Sequence, residues 1–128
     1  MYNFPMYVGI LYICTMSTTN GMLKGSLQTI ILKLLQENDK MYGYEITQTV
    51  KELTANKIQI SEGAMYSSLH KLEATGVLET ESVMVGKRPR VYYRLTKSGA
   101  AVATEKIAEL ASFIKSLNDV IDFNVNIA

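Results

Sequence analysis

The sequence predicts a mostly α-helical protein with a two-stranded β-hairpin and a long C-terminal helix, and three observations carry the prediction. Apolar residues recur at helical spacing from Leu27 to Leu35 and again from Ile107 to Ile121. Val77 to Val83 alternates like a strand, and the run VGKRPRVYYRLTKSG, from Val85 to Gly99, reads as a strand, a basic tip and a return strand entering a helix cap. Ser61 and Thr96 stand where N-caps are needed, and Gly76 where a helix should stop. With 128 residues, 48% of them hydrophobic, the chain can form one domain with a real core.

Residues 1–21 read as an N-terminal arm. Phe4 to Cys14 is an apolar run of eleven residues, short of the roughly 20 a membrane-spanning helix needs. It lacks the cationic start and cleavage site of a signal peptide, so no membrane partner is expected. Ser17 to Gly21 is a polar break. Met16 and Met22 are alternative starts, so Met1 to Thr15 is expected to be a start-site extension. Cys14 is the lone cysteine; it excludes a disulfide framework and fits a reducing, cytoplasmic setting.

From Met22 the elements follow in order. Leu27, Ile30, Ile31, Leu34 and Leu35 form one stripe of a first helix, which ends in the polar run from Glu37 to Lys40. A second helix is predicted from about Tyr42 to Asn56, with Ile46, Val50 and Leu53 inward. Ser61 caps a third, running to about Thr75, with Met65, Leu69 and Leu72 spaced for the core. The hairpin follows, and Thr96 caps a last helix to about Asp122. Three helices and then a ribbon is the order of a winged helix-turn-helix, with residues 22–98 as the DNA-binding unit and 99–128 as a C-terminal dimerisation helix and tail.

Charge points to one contact surface. The chain carries a net charge of only +1, yet residues 82–104 hold five cations and no anion, against eight cations and twelve anions elsewhere. Lys87, Arg88 and Arg90 crowd around Pro89 at the expected tip, suited to a polyanion such as double-stranded DNA. Val91, Tyr93 and Leu95 should face one way, and Arg90, Tyr92 and Arg94 the other. On the third helix, Gly63, Tyr66, Ser67, His70 and Lys71 lie away from the core positions, able to reach base edges or phosphates. Glu62 and Glu73 would repel phosphate at its two ends.

These residues resemble the PadR family of transcriptional regulators. The matching runs are MLKGSLQTIILKLL, MYGYEI, ISEGAMYSSLHKLEATGVLE and GKRPRVYYRLTKSG, covering most of Met22 to Gly99. Where the family usually has Thr-Leu-Tyr-Pro, this chain has Ala64, Met65, Tyr66 and Ser67. The resemblance implies a homodimeric cytoplasmic repressor on a palindromic operator, with Tyr66 and its helix in the major groove and the wing on the adjacent backbone or minor groove. It also implies a small hydrophobic or aromatic effector. Ligand stacking on an interface tryptophan, used by some members, is not open to a chain without tryptophan; Phe113 and the tyrosines replace it only in part.

A dimer also follows from the residues. Ile107, Leu110, Ile114, Leu117 and Ile121 recur at alternating spacings of three and four, with Phe113 and Val120 widening the stripe. Packing within one chain is the alternative. Enzyme chemistry is not expected: no Ser/His/Asp or Cys/His set, paired carboxylates or glycine-rich phosphate loop occurs, and a single histidine excludes an ordinary zinc site. No cofactor is expected. The rival reading is a winged helix that binds an acidic protein partner instead of DNA.

Overall fold

Helix α1 (Phe4–Glu37) supplies the floor of the core, with Leu23, Leu27, Ile31, Leu32, Leu34 and Leu35 buried along it. In the computed structural model, which describes residues 4–121 and side chains from residue 21 onward, α1 is continuous through residues 17–21. The break predicted there does not form. Ser, Thr, Asn and Gly each cost a helix about 1 kcal/mol or less, and none removes a backbone hydrogen bond as proline would. The side chains of the apolar arm and of Cys14, and the helix end expected at Asp122, lie outside the described residues. Among the described residues, no helix is long and apolar enough to cross a membrane.

After α1 the chain makes a two-residue strand, β1 (Met41–Tyr42), which the sequence reading lacks. Helix α2 (Gly43–Leu53) follows directly, its start closed by the Tyr42 N–H donating to Glu45 Oε1 at 3.3 Å. It stops three residues short of Asn56 because Ala55 and Asn56 both adopt left-handed conformations (φ 52° and 66°). Thr54 steadies this turn, donating to the Val50 carbonyl at 2.8 Å and accepting from the Ile58 N–H at 3.1 Å.

Helix α3 (Glu62–Ala74) begins and ends as expected. The Ser61 hydroxyl accepts from the Ala64 N–H at 3.2 Å. At the other end Gly76 has φ +81°, and the Val77 N–H reaches back to the Leu72 carbonyl while the Gly76 N–H reaches Glu73. Met65, Leu69 and Leu72 are buried.

The hairpin pairs β2 (Leu78–Val85) with β3 (Arg88–Leu95), from Leu78 opposite Leu95 to Val85 opposite Arg88. Its turn is Gly86-Lys87, with Gly86 at φ +65° in the first turn position. The tip is therefore narrower than expected. Only Lys87 occupies it, and Arg88, Pro89 and Arg90 stand in the ladder opposite Val85, Met84 and Val83. Proline is tolerated there because β1 flanks β3 only at Tyr92 and Tyr93, leaving the outer part of β3 with one open side. The sheet order is β1-β3-β2.

Helix α4 (Lys97–Ile121) starts at Thr96, whose hydroxyl accepts from the Gly99 N–H at 2.9 Å and donates to the Gly76 carbonyl at 2.7 Å. One side chain thus caps α4 and fastens it to the end of α3. The first half of α4 lies on α1, with Ala103 fully buried and Ile107 packed against the core. Beyond Leu110 the helix leaves the body.

Candidate nucleic-acid interface

The outer side of α3 divides into two flanks. Gly63, Ser67, His70 and Lys71 are exposed, whereas Tyr66 is half-buried. Tyr66 and His70 turn toward the wing, their ring centroids 6.3 Å apart, and line a cleft of about 500 Å³ with Arg88 and Arg90. Ser67 and Lys71 turn the other way, toward α1 and α4. The five residues expected to form one reading face are therefore not brought to a single surface. Gly63, Ser67 and His70 point outward, and Tyr66 and Lys71 mark the edges.

Tyr66 is held by an unusual neighbour. A Cβ placed on Gly43 would sit 2.9 Å from the Tyr66 ring tip and hydroxyl. Gly43 thus lets α2 approach the tyrosine closely, and the Tyr-Gly-Tyr run acquires a packing reason. Because the obstructed atoms are the far end of a side chain, Gly43→Ala is expected to cost about 1 kcal/mol or less of stability while displacing the Tyr66 ring. A urea melt alongside the Tyr66 ring resonances would check this; an unmoved ring would contradict it.

The base of the wing is clamped to β1 and the entry of α2. Arg90 places its guanidinium 4.2 Å from the Tyr42 ring centroid, and Tyr42 meets Tyr92 edge-to-face at 5.4 Å. Lys40 lies over Tyr92 at 5.1 Å and donates to Glu81 Oε2 at 3.2 Å, while Arg94 pairs with the other Glu81 oxygen. The hydrogen bond from Lys40, reinforced by Arg94, holds the Glu81 carboxyl below the usual carboxylate range. The clamp is accordingly present above that range and released only as pH falls through the lowered value. Neither Tyr42 nor Lys40 was expected in the interface; the only sequence signal was cations alternating with tyrosines on facing strands.

This clamp sorts the basic residues of the hairpin. Lys87 and Arg88 are exposed at the end of the wing. Arg90, expected as a free contact, has one face against Tyr42, and Arg94 is engaged by Glu81. The alternation along β3 holds where the core reaches it, with Tyr93 buried and its phenol pKa pushed up by burial. Val91, on the same face, is exposed beyond the core.

At the far end, α4 exposes Phe113, Ile114, Leu117, Val120 and Ile121. Ile107 and Leu110 are partly covered within their own chain. With Ile114 they edge an apolar groove of about 370 Å³ against Ile30 and Leu34 of α1 and Val50 and Leu53 of α2.

Residues 31–105 match the transcriptional regulator PadR-like family. An uncharacterised protein of Lysinibacillus sphaericus is 38% identical over 103 residues, which span 78% of this chain and 91% of that one. The structure is similar to that of a transcriptional regulator from Clostridium thermocellum, at a TM-score of 0.68 and 30% identity over 83% of this chain and 99% of that one. It is also similar to Bacillus subtilis PadR in complex with operator DNA, at a TM-score of 0.56 and 29% identity, over 62% of this chain and 45% of that one.

Proposed function

From the premise that the chain belongs to the PadR-like family of transcriptional regulators, and is thus a regulator and not an enzyme, we propose that it acts as a homodimeric repressor on palindromic duplex DNA. The observation that carries this reading is the cleft between α3 and the wing. It is lined by Tyr66, His70, Arg88 and Arg90 with no carboxylate. A phosphodiester backbone lying along that cleft meets Arg88 and Lys87 while the outward residues of α3, Gly63, Ser67 and His70, enter the major groove. Tyr66 and Lys71 reach the groove edges, and Arg90 sets the wing angle from its seat on Tyr42. The structural likeness to an operator-bound regulator supports the same orientation.

The homodimer is supported by the exposed stripe on α4. Five large apolar side chains in a row have no cover within the chain. Ile107, Leu110, Phe113, Ile114, Leu117 and Ile121 would form the seam, and two copies would present two α3 helices to successive half-sites. A small hydrophobic or aromatic effector fits the apolar groove, which joins that seam to α2. Such a ligand would touch both the interface and the helix that precedes α3. The DNA reading places the protein in the cytoplasm.

The test is a titration of duplex selected from a random pool, and of a scrambled duplex, at several salt concentrations. Lys87→Ala combined with Arg88→Ala is expected to weaken both duplexes alike and to lower the salt slope by about 2 units, near 0.9 for each lost phosphate contact. A parent that binds neither duplex would overturn the reading in favour of a protein partner. A double variant that matches the parent would remove the wing from the contact.

A further inference from the structure

On the flank of α3 facing away from the wing lies a second groove, of about 600 Å³, between α1, α3 and the start of α4. Lys24 reaches it from α1, Lys71 from α3 and Lys106 from α4. No carboxylate lines it; Glu62, the acidic residue of the first turn of α3, borders a different groove beside Gly43 and Tyr44. Among the described residues none of these three lysines makes an ion pair. Ser67 and Ser68 add hydroxyl donors, and the capped N-terminus of α3 opens onto the same space at Ser61.

Three ammonium groups from three helices repel one another unless an anion lies between them. Their convergence is costly for the empty fold and favourable for a bound oxyanion, and the N-terminal end of α3 adds to the positive field. Charge-assisted bonds from lysine, with serine hydroxyls beside them, are a phosphate-type donor set.

We propose that this groove is a phosphate-binding site, distinct from the wing cleft, with Lys24 and Lys106 as ligating residues beside Lys71. The phosphate belongs either to the second backbone strand of a duplex whose major groove holds α3 or to a free phosphate ester. In its duplex form the proposal rests on the DNA reading above; in its free form it stands independently.

The experiment compares the parent with Lys24→Gln/Lys106→Gln in two arms. Both positions are exposed, so thermal melting should be unchanged and serves as the fold control. In the first arm, duplex affinity is measured against salt; a backbone contact lowers the slope by about 1.8 units in the variant. In the second, inorganic pyrophosphate is titrated at fixed ionic strength while the amide resonances of Ser67 and Ser68 are followed. A free phosphate ligand shifts them in the parent and not in the variant. Either result supports the site. Equal salt slopes together with pyrophosphate shifts that are absent, or the same in both proteins, would overturn it. If the parent binds no duplex, the DNA reading fails in the first arm and the second alone decides the groove.

Discussion

Ile114→Glu combined with Leu117→Glu is expected to convert a dimer into a monomer and to abolish tight DNA binding, although neither residue is near the wing or α3. Both side chains are exposed within one chain, at 57% and 43%, so the charges have no buried partner to disturb and the monomer should stay folded. Across a two-fold seam the same charges would be buried against apolar residues, which costs several kcal/mol per uncompensated ion. Each half-site alone offers few phosphate contacts, and affinity rests on linking two of them. Sedimentation at micromolar concentration, with anisotropy on the selected duplex, checks both halves of the expectation. A parent that sediments as a monomer, or a variant that remains dimeric and DNA-bound, would move the interface elsewhere.

Gly99→Ala is expected to be the most damaging single methyl in the domain, at about 3 kcal/mol of stability. A Cβ at this position would overlap the Val77 carbonyl oxygen and crowd the Thr96 hydroxyl at 3.0 Å. The obstacle is backbone, held in turn by the Thr96 N–H, which donates to the same Val77 carbonyl at 3.0 Å. It cannot swing aside as the Tyr66 ring can. Relief requires α4 to pull away from the end of α3, breaking the Thr96 cap. Chemical denaturation of Gly99→Ala beside Gly43→Ala gives a direct contrast; equal losses would show that rigidity of the obstructing atoms is not what matters.

Much of the fold was legible because its signals are local. Ser61, Gly76 and Thr96 do the work that their types and positions predict, and the apolar spacings of α1 and α3 name their buried residues correctly. What escaped was held by distant partners. β1 is two residues long and exists because Tyr92 and Tyr93 pair with it, and no pattern within Met41–Tyr42 announces that. The width of the turn was misjudged for a related reason. Pro89 draws the eye as a tip residue, but Gly86 is the position that adopts the left-handed backbone, so the arginines fall into the ladder. The interface was legible by residue type more than by geometry. Helical spacing alone separates core from surface on α3, yet it cannot say that Tyr66 meets α2 or that Lys71 meets α1, since those flanks are defined by helices elsewhere in the chain. The apolar stripe on α4 divides in the same way, its first turns covered by α1 and its last turns left open.

The small sheet has a consequence for how a duplex would be measured. Because β1 runs straight into α2 and its two residues are stitched to the middle of β3, the wing cannot swing independently of the helices. The reach from Lys87 to the outward side of α3 is therefore a fixed gauge rather than an adjustable arm. On the proposed footprint, a duplex that presents its backbone at another distance must deform to fit, and how willingly it does so depends on the stiffness of its own base steps. Discrimination of this kind falls on base pairs that no side chain touches.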